Sequence, residues 1–205
     1  MSLLVKVCGM TSAEDAAMCE EQGVDFLGFI FHPSSPRNVD TDFARSIKPA
    51  SAKKVGVFVK QSAAQVIETL KNGDLDFAQL HGGQNEEFCR TVGRERVIKV
   101  FWPQKYDSVK ELQAEIDRFA PHCTYMLFDA GKSGGGHGVS MEFDVFKDVT
   151  IPVPWLLAGG LSADNLKEAL DTAKPYGVDL NSGVESEPGR KDKDKLREAL
   201  AVITQ

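Results

Sequence analysis

The stretch KVGVFVKQSAAQVIETLKNGDLDFAQLH, residues 54–81, decides the fold. KVGVFVK (54–60) is rich in β-branched and aromatic side chains and reads as a strand. AAQVIETLKN (63–72) spaces its apolar residues as a helix does, and Gly73 closes it. FAQLH (77–81) is the next strand. A strand, a helix and a strand in so short a span imply parallel pairing through a right-handed crossover.

The same unit recurs in both directions. Toward the N-terminus, LLVKVC (3–8) reads as a strand and AEDAAMCEEQG (13–23) as a helix, with Ser12 as cap and Gly23 as stop. DFLGFIF (25–31) and TDFARSIK (41–48) form the next pair. Toward the C-terminus, a helix near 85–93 precedes the strand ERVIKVF (95–101) and the helix SVKELQAEIDRFA (108–120). TYMLFDA (124–130) is followed by a glycine-rich loop and a short helix near 142–148. PWLLAGG (154–160) is a strand and its loop, and Ser162 caps ADNLKEALDTA (163–173). VDLNSGVE (178–185) carries the last strand and its loop, and DKDKLREALAVIT (192–204) the last helix. Eight such units favour an α/β fold closed as a (β/α)8 TIM barrel over an open doubly wound sheet. The 205 residues suit one domain, 1–205, and no linker or composition shift divides them.

Bulk properties narrow the function. A net charge of −6 argues against a general nucleic-acid binder or an anionic-membrane binder. No apolar run is long enough to cross a bilayer, and MSLLVKVCGM enters strand-like sequence with no secretory pattern, so a cytoplasmic protein is expected. Cys8, Cys19, Cys89 and Cys123 are widely spaced, with no metal-ligand pattern, so neither disulfides nor a metal site is expected. The helical faces show no extra apolar stripe, and a monomer is the default expectation.

Barrel chemistry sits at the C-terminal ends of the strands. Alternation turns Lys6 and Cys8 toward the interior and leaves Val5 and Val7 facing the helices. A nearby ammonium would favour the Cys8 thiolate, a competent base; the structural alternative is a buried Cys beside a charge-balanced Lys. Asp129 follows the apolar run YMLF and either carries chemistry or ties down the next loop. Asp179 also turns inward, to pair with Lys6 or Lys99 or to meet a substrate hydroxyl. His81 ends a strand, and Arg37 lies in HPSSPRNV, a loop with two prolines after the second strand, where its planar fork could grip a carboxylate. Three glycine-rich segments, GGGHG (134–138), AGGL (158–161) and NSGVE (181–185), follow consecutive strands. They suit a phosphate held by backbone amides, with tight turns as the alternative.

Together KVCGMT (6–11), GVDFLGFIFHPSSPR (23–37), VGVFV (55–59), AQLHGG (78–83), LFDAG (127–131), LAGGLSADN (157–165) and VDLNSGVESEPGRKD (178–192) resemble the phosphoribosylanthranilate isomerase family in order and spacing. The resemblance spans residue 5 to about residue 195. It implies an Amadori rearrangement of a phosphorylated small molecule in tryptophan biosynthesis, without cofactor or metal. It makes Asp129 the general acid and Cys8 the general base. It gives Arg37 the anthranilate carboxylate, places His81 and Asp179 along the pocket, and gives the phosphate to Gly135, Gly136, Gly159, Gly160, Ser182 and Gly183. One departure stands out: His137 follows Gly136 where the family usually has Ser or Thr. The competing readings are a related histidine-pathway phosphosugar isomerase, which would want Asp in place of Cys8, and a non-catalytic phosphate-binding barrel. An epimerase would want a metal-ligand cluster that the four histidines do not form.

Overall fold

Alternation divides the strands' side chains into two sets, and two separate cores result. In a computed structural model, which describes residues 3–131 and 143–204, eight parallel strands close in sequence order. They are β1 (Leu4–Cys8), β2 (Phe26–Ile30), β3 (Lys53–Phe58), β4 (Phe77–Leu80), β5 (Val97–Phe101), β6 (Tyr125–Asp129), β7 (Trp155–Ala158) and β8 (Gly177–Leu180). The ring shuts where β8 pairs with β1, with Lys6 opposite Asp179. Around it lie α1 (Ala13–Glu21), α2 (Thr41–Ser46), α3 (Ala63–Asn72), α4 (Glu86–Val92), α5 (Val109–Phe119), α6 (Ala163–Ala173) and α7 (Lys193–Ile203).

The outer core joins outward strand residues such as Val7, Leu27, Phe58 and Leu157 to buried helix residues such as Val66, Ile116 and Leu166. The inner core fills the barrel with Phe26, Val55, Ile98, Val100, Leu127 and Leu156. Phe26, Phe77 and Tyr125, the first residues of β2, β4 and β6, meet edge to face with ring centroids 5.7–5.9 Å apart. They plug the N-terminal end of the barrel, so the other end is left for chemistry.

Sequence boundaries shift at a few points for identifiable reasons. The second helix stops at Ser46 because Ile47 is extended (ψ 119°). Buried Lys54 then collects the carbonyls of Ala44, Ile47 and Gly73 at 2.9, 3.1 and 3.0 Å. The helix expected near 142–148 is a 3-10 turn over Phe143–Lys147, in which Phe146 stacks on Trp155 at 4.9 Å. An unexpected antiparallel hairpin follows β8: β9 (Glu185–Glu187) and β10 (Arg190–Lys191), turning at Gly189 (φ 89°). Lys99 points outward with Val97 and Phe101, its Nζ 3.2 Å from the Gly82 carbonyl, so it is no partner for Asp179.

Candidate active site

At the closing seam, Lys6 is fully buried, and its Nζ donates to both Asp179 carboxylate oxygens at 2.9 Å. Burial is the largest single influence and opposes the ammonium, but the charges and hydrogen bonds of Asp179 and Cys8 together outweigh it and hold the Lys6 pKa above its ordinary value. Two residues on, Cys8 is also buried. Burial pushes its thiol up; Lys6 pulls it down without prevailing. Of the two readings the sequence left open, the lysine is charge-balanced by Asp179, and burial favours the thiol form of Cys8.

Space for this cluster comes from Gly28 on β2, in register with Cys8. A Cβ there would lie 2.8 Å from Cys8 Sγ and 3.1 Å from Lys6 Nζ. No glycine signal in the sequence pointed to this strand-interior position.

Asp129 ends β6. Burial raises its pKa, against a hydrogen bond from the Gly131 N–H at 3.1 Å. It thus both ties down the loop, as one reading had it, and favours its protonated form more than an ordinary carboxyl does. His81 Nε2 lies 3.8 Å from Asp129 Oδ2, and its ring stands edge-on to Trp102 at 5.1 Å. Burial, reinforced by Lys6, Lys105 and Lys99, lowers the His81 pKa to about 4. At neutral pH His81 is uncharged and makes no ion pair with Asp129. Its Nδ1 faces Gln79 Nε2 at 3.3 Å, while buried Gln79 Oε1 has no partner among the described residues.

Arg37 does not stand alone on its loop. Its Nε and Nη2 donate to Glu185 Oε1 at 2.8 Å and Oε2 at 2.5 Å. Glu185 also accepts from Lys191 Nζ at 2.8 Å, and that ammonium reaches Asn181 Oδ1 at 3.0 Å. The Arg37 stem crosses Gly9, where an added Cβ would sit 2.6 Å from Arg37 Cδ. Glu185 and Lys191 fall within the VDLNSGVESEPGRKD motif, but nothing in their spacing announces a partner on the β2 side of the barrel.

The loops after β7 and β8 meet backbone to backbone. Gly159 and Gly160 adopt φ of 108° and 68°. A Cβ on Gly159 would strike Gly131 N and lie 2.8 Å from Asp129 Oδ1; one on Gly183 would strike the Leu161 carbonyl. Ser182 and Gly183 open a short 3-10 turn, and Gly183 packs against Leu161 and Ser162 at the start of α6, where Asn165 Oδ1 accepts from Ser162 N at 2.9 Å. Glycine loops and a helix start thus share one side of the mouth, an arrangement suited to an anion. Gly135, Gly136 and His137 lie outside the described residues.

A model of the N-(5'-phosphoribosyl)anthranilate (PRA) isomerase family matches residues 5–202. The chain belongs to that family. An N-(5'-phosphoribosyl)anthranilate isomerase of Maridesulfovibrio salexigens is 82% identical over 205 residues, covering 100% of both chains. The crystal structure of the Thermus thermophilus phosphoribosyl anthranilate isomerase superposes with a TM-score of 0.85 at 33% identity, covering 98% of each chain. A PRA isomerase in complex with reduced 1-(o-carboxyphenylamino)-1-deoxyribulose 5-phosphate superposes at 0.82 and 28% identity, again with 98% of each chain covered. A structure of monomers generated from the dimeric Thermotoga maritima enzyme gives 0.83 at 27%, with the same coverage. Among the described residues, no group of His, Cys, Asp and Glu could hold a metal ion, and no helix is long and apolar enough to cross a membrane.

Proposed function

We propose that this PRA isomerase family member performs the Amadori rearrangement of N-(5'-phosphoribosyl)anthranilate to 1-(2-carboxyphenylamino)-1-deoxyribulose 5-phosphate, the isomerase step of tryptophan biosynthesis. Asp129 is its acid and Cys8 its base. The observation that carries this assignment is a carboxyl biased toward protonation and a buried cysteine, both at C-terminal strand ends of one barrel.

Asp129 protonates the ribose ring oxygen, and the C1′–O bond breaks as the anilino nitrogen pushes in, leaving a protonated Schiff base. The new cation favours the thiolate of Cys8, which the resting site disfavours and which forms by release of the thiol proton to solvent. Cys8 takes the C2′ proton, and the electron pair moves into the iminium. The resulting enolamine tautomerises to the ketone. The iminium is the electron sink, so a modest base suffices and the step balances without a cofactor.

Arg37 takes the anthranilate carboxylate. His81 and Asp179 line the ribose, His81 as a neutral hydrogen-bonding group. Gly159, Gly160, Ser182 and Gly183, with Gly135 and Gly136, hold the phosphate through backbone amides. A fixed phosphate anchors the open-chain intermediate and orients C2′ against Cys8. In this reading the protein works as a cytoplasmic monomer, and light scattering on the eluting peak would read near 22.4 kDa and not twice that.

The test is the decay of substrate fluorescence on adding purified protein, with Cys8→Ala and Asp129→Asn beside the wild type. Turnover that falls by ~10² or more in each variant supports the pair. Wild-type turnover retained in either removes that residue from its role.

A further inference from the structure

We propose that Arg37, Glu185 and Lys191 act as one cationic carboxylate clamp, in which Glu185 sets the direction of the guanidinium and Lys191 keeps the cluster positively charged. The inference rests on the reading that Arg37 takes the substrate carboxylate, and adds two positioning residues to it.

The geometry gives each residue its part. Glu185 occupies the side-on edge of Arg37, bonding Nε and Nη2. A guanidinium has five N–H donors, and this edge uses two of them. Nη1 and the outer Nη2 hydrogen have no partner among the described residues, so the end-on fork is free for a second carboxylate. Two bonds to a fixed acceptor also stop the guanidinium from rotating, so its free edge has one direction.

Glu185 is itself held. Its side chain is 3% exposed, the Gly189 N–H donates to Oε1 at 3.2 Å, and Lys195 Nζ grips its backbone carbonyl at 2.7 Å. Lys191 explains how such a site attracts an anion. An Arg–Glu pair alone is neutral, and a second carboxylate brought to it would meet the Glu185 charge at short range. Lys191, with no exposed side-chain surface, adds the missing positive charge at Glu185 Oε1, the oxygen that Arg37 Nε also holds. Two cations then face one carboxylate, and the substrate's carboxylate completes the balance. The Arg37 stem beside Gly9 puts the clamp next to the residue that follows Cys8.

Two probes test this: reduced 1-(o-carboxyphenylamino)-1-deoxyribulose 5-phosphate and its phenylamino counterpart without the carboxylate. Calorimetry gives the Kd ratio of the two for wild type, Arg37→Ala, Lys191→Met and the double variant Glu185→Gln/Lys191→Met. Lys191→Met makes the cluster neutral and should cut the preference for the carboxylate probe roughly 10-fold or more. The double variant restores one net positive charge and should regain part of that loss, the remainder being the orientation that Glu185 supplied; a merely structural lysine would give no such recovery. KM should follow Kd in the kinetics while kcat stays within about threefold. Wild-type preference in Lys191→Met, or a double variant no better than the single one, overturns the clamp. Should Lys191→Met not fold, Lys191→Gln, which removes the charge but keeps a polar head beside Asn181 and Glu185, is read in its place against the same outcomes. An unchanged preference in Arg37→Ala removes the underlying carboxylate reading, a separate failure from one confined to Lys191.

Discussion

Adding one methyl group at Gly28 should cost both stability and turnover, by a route visible in the packing. The new Cβ would lie 2.8 Å from Cys8 Sγ, 2.9 Å from Cys8 Cα and 3.1 Å from Lys6 Nζ. Favourable contacts between heavy atoms sit at about 3.5–4.0 Å, so something must move by several tenths of an ångström. The backbone of β1 is fixed by its ladder to β2 and β8, and Lys6 is fixed by Asp179. Cys8 Sγ is the part with most freedom, and it must turn away from its resting position. Overpacking of this kind costs about 1–3 kcal/mol. A reacting atom displaced by about 1 Å can lower turnover by ~10². Gly56→Ala is the control, since its Cβ would press on the Phe58 ring and Leu75 in the outer core, away from the site. Urea unfolding should show a comparable loss in both variants, while fluorescence-monitored turnover should show a kcat collapse in Gly28→Ala alone. Equal kcat in wild type and Gly28→Ala would refute the argument that this glycine makes room for the base.

Lys6→Met should cost about 3–5 kcal/mol, because it leaves Asp179 buried without its cation; denaturant titration reads this, and pairing it with Asp179→Asn should recover part of the loss. His81, with its pKa lowered to about 4, takes up its proton in the unfolded chain before it does so in the folded one. Its contribution to stability is therefore full above pH 6.5 and lost as pH falls toward about 4. The partial exposure of the ring discounts this to about 1–2 kcal/mol. His81→Gln should flatten that acid slope in melting curves taken across the window. Because burial raises the Cys8 pKa, the wild-type minus Cys8→Ala absorbance near 240 nm should show no thiolate at neutral pH and gain it only above the ordinary thiol value of 9.0; a thiolate band at pH 7 would contradict the resting-thiol assignment.

Much of this molecule is legible in one dimension. β-rich runs between helical stretches marked every barrel strand, and period-two alternation put Lys6, Cys8 and Asp179 inside, because a strand offers a side chain only two directions. Asp129 and His81 were legible as polar residues that end apolar runs. Other features depend on three-dimensional neighbours. Gly28 matters because of what stands across the ladder. Glu185 finds Arg37 through a hairpin that forms beyond the end of β8, and its sequence reads as loop. The direction of the Cys8 shift could not be read either: a pairing of Asp179 with Lys6 was one of two the sequence allowed, but whether burial or the ammonium prevails at the thiol depends on depth and distance in the folded chain.

The seam between β8 and β1 also has a meaning in time. Lys6 and Arg37 are made early, but their carboxylate partners lie 173 and 148 residues later. A ribosome-bound chain therefore has no means of neutralising its most deeply buried cation until almost the entire polypeptide has emerged. Early strands that closed into a partial sheet would have to leave Lys6 wet, which keeps them from settling prematurely. The long loop costs little extra entropy, since closure grows only with the logarithm of length, but it slows folding as non-local pairing does. Circular permutants that start between β7 and β8 would put Asp179 and Glu185 ahead of Lys6 and Arg37, and would reverse the order in which the buried charges meet.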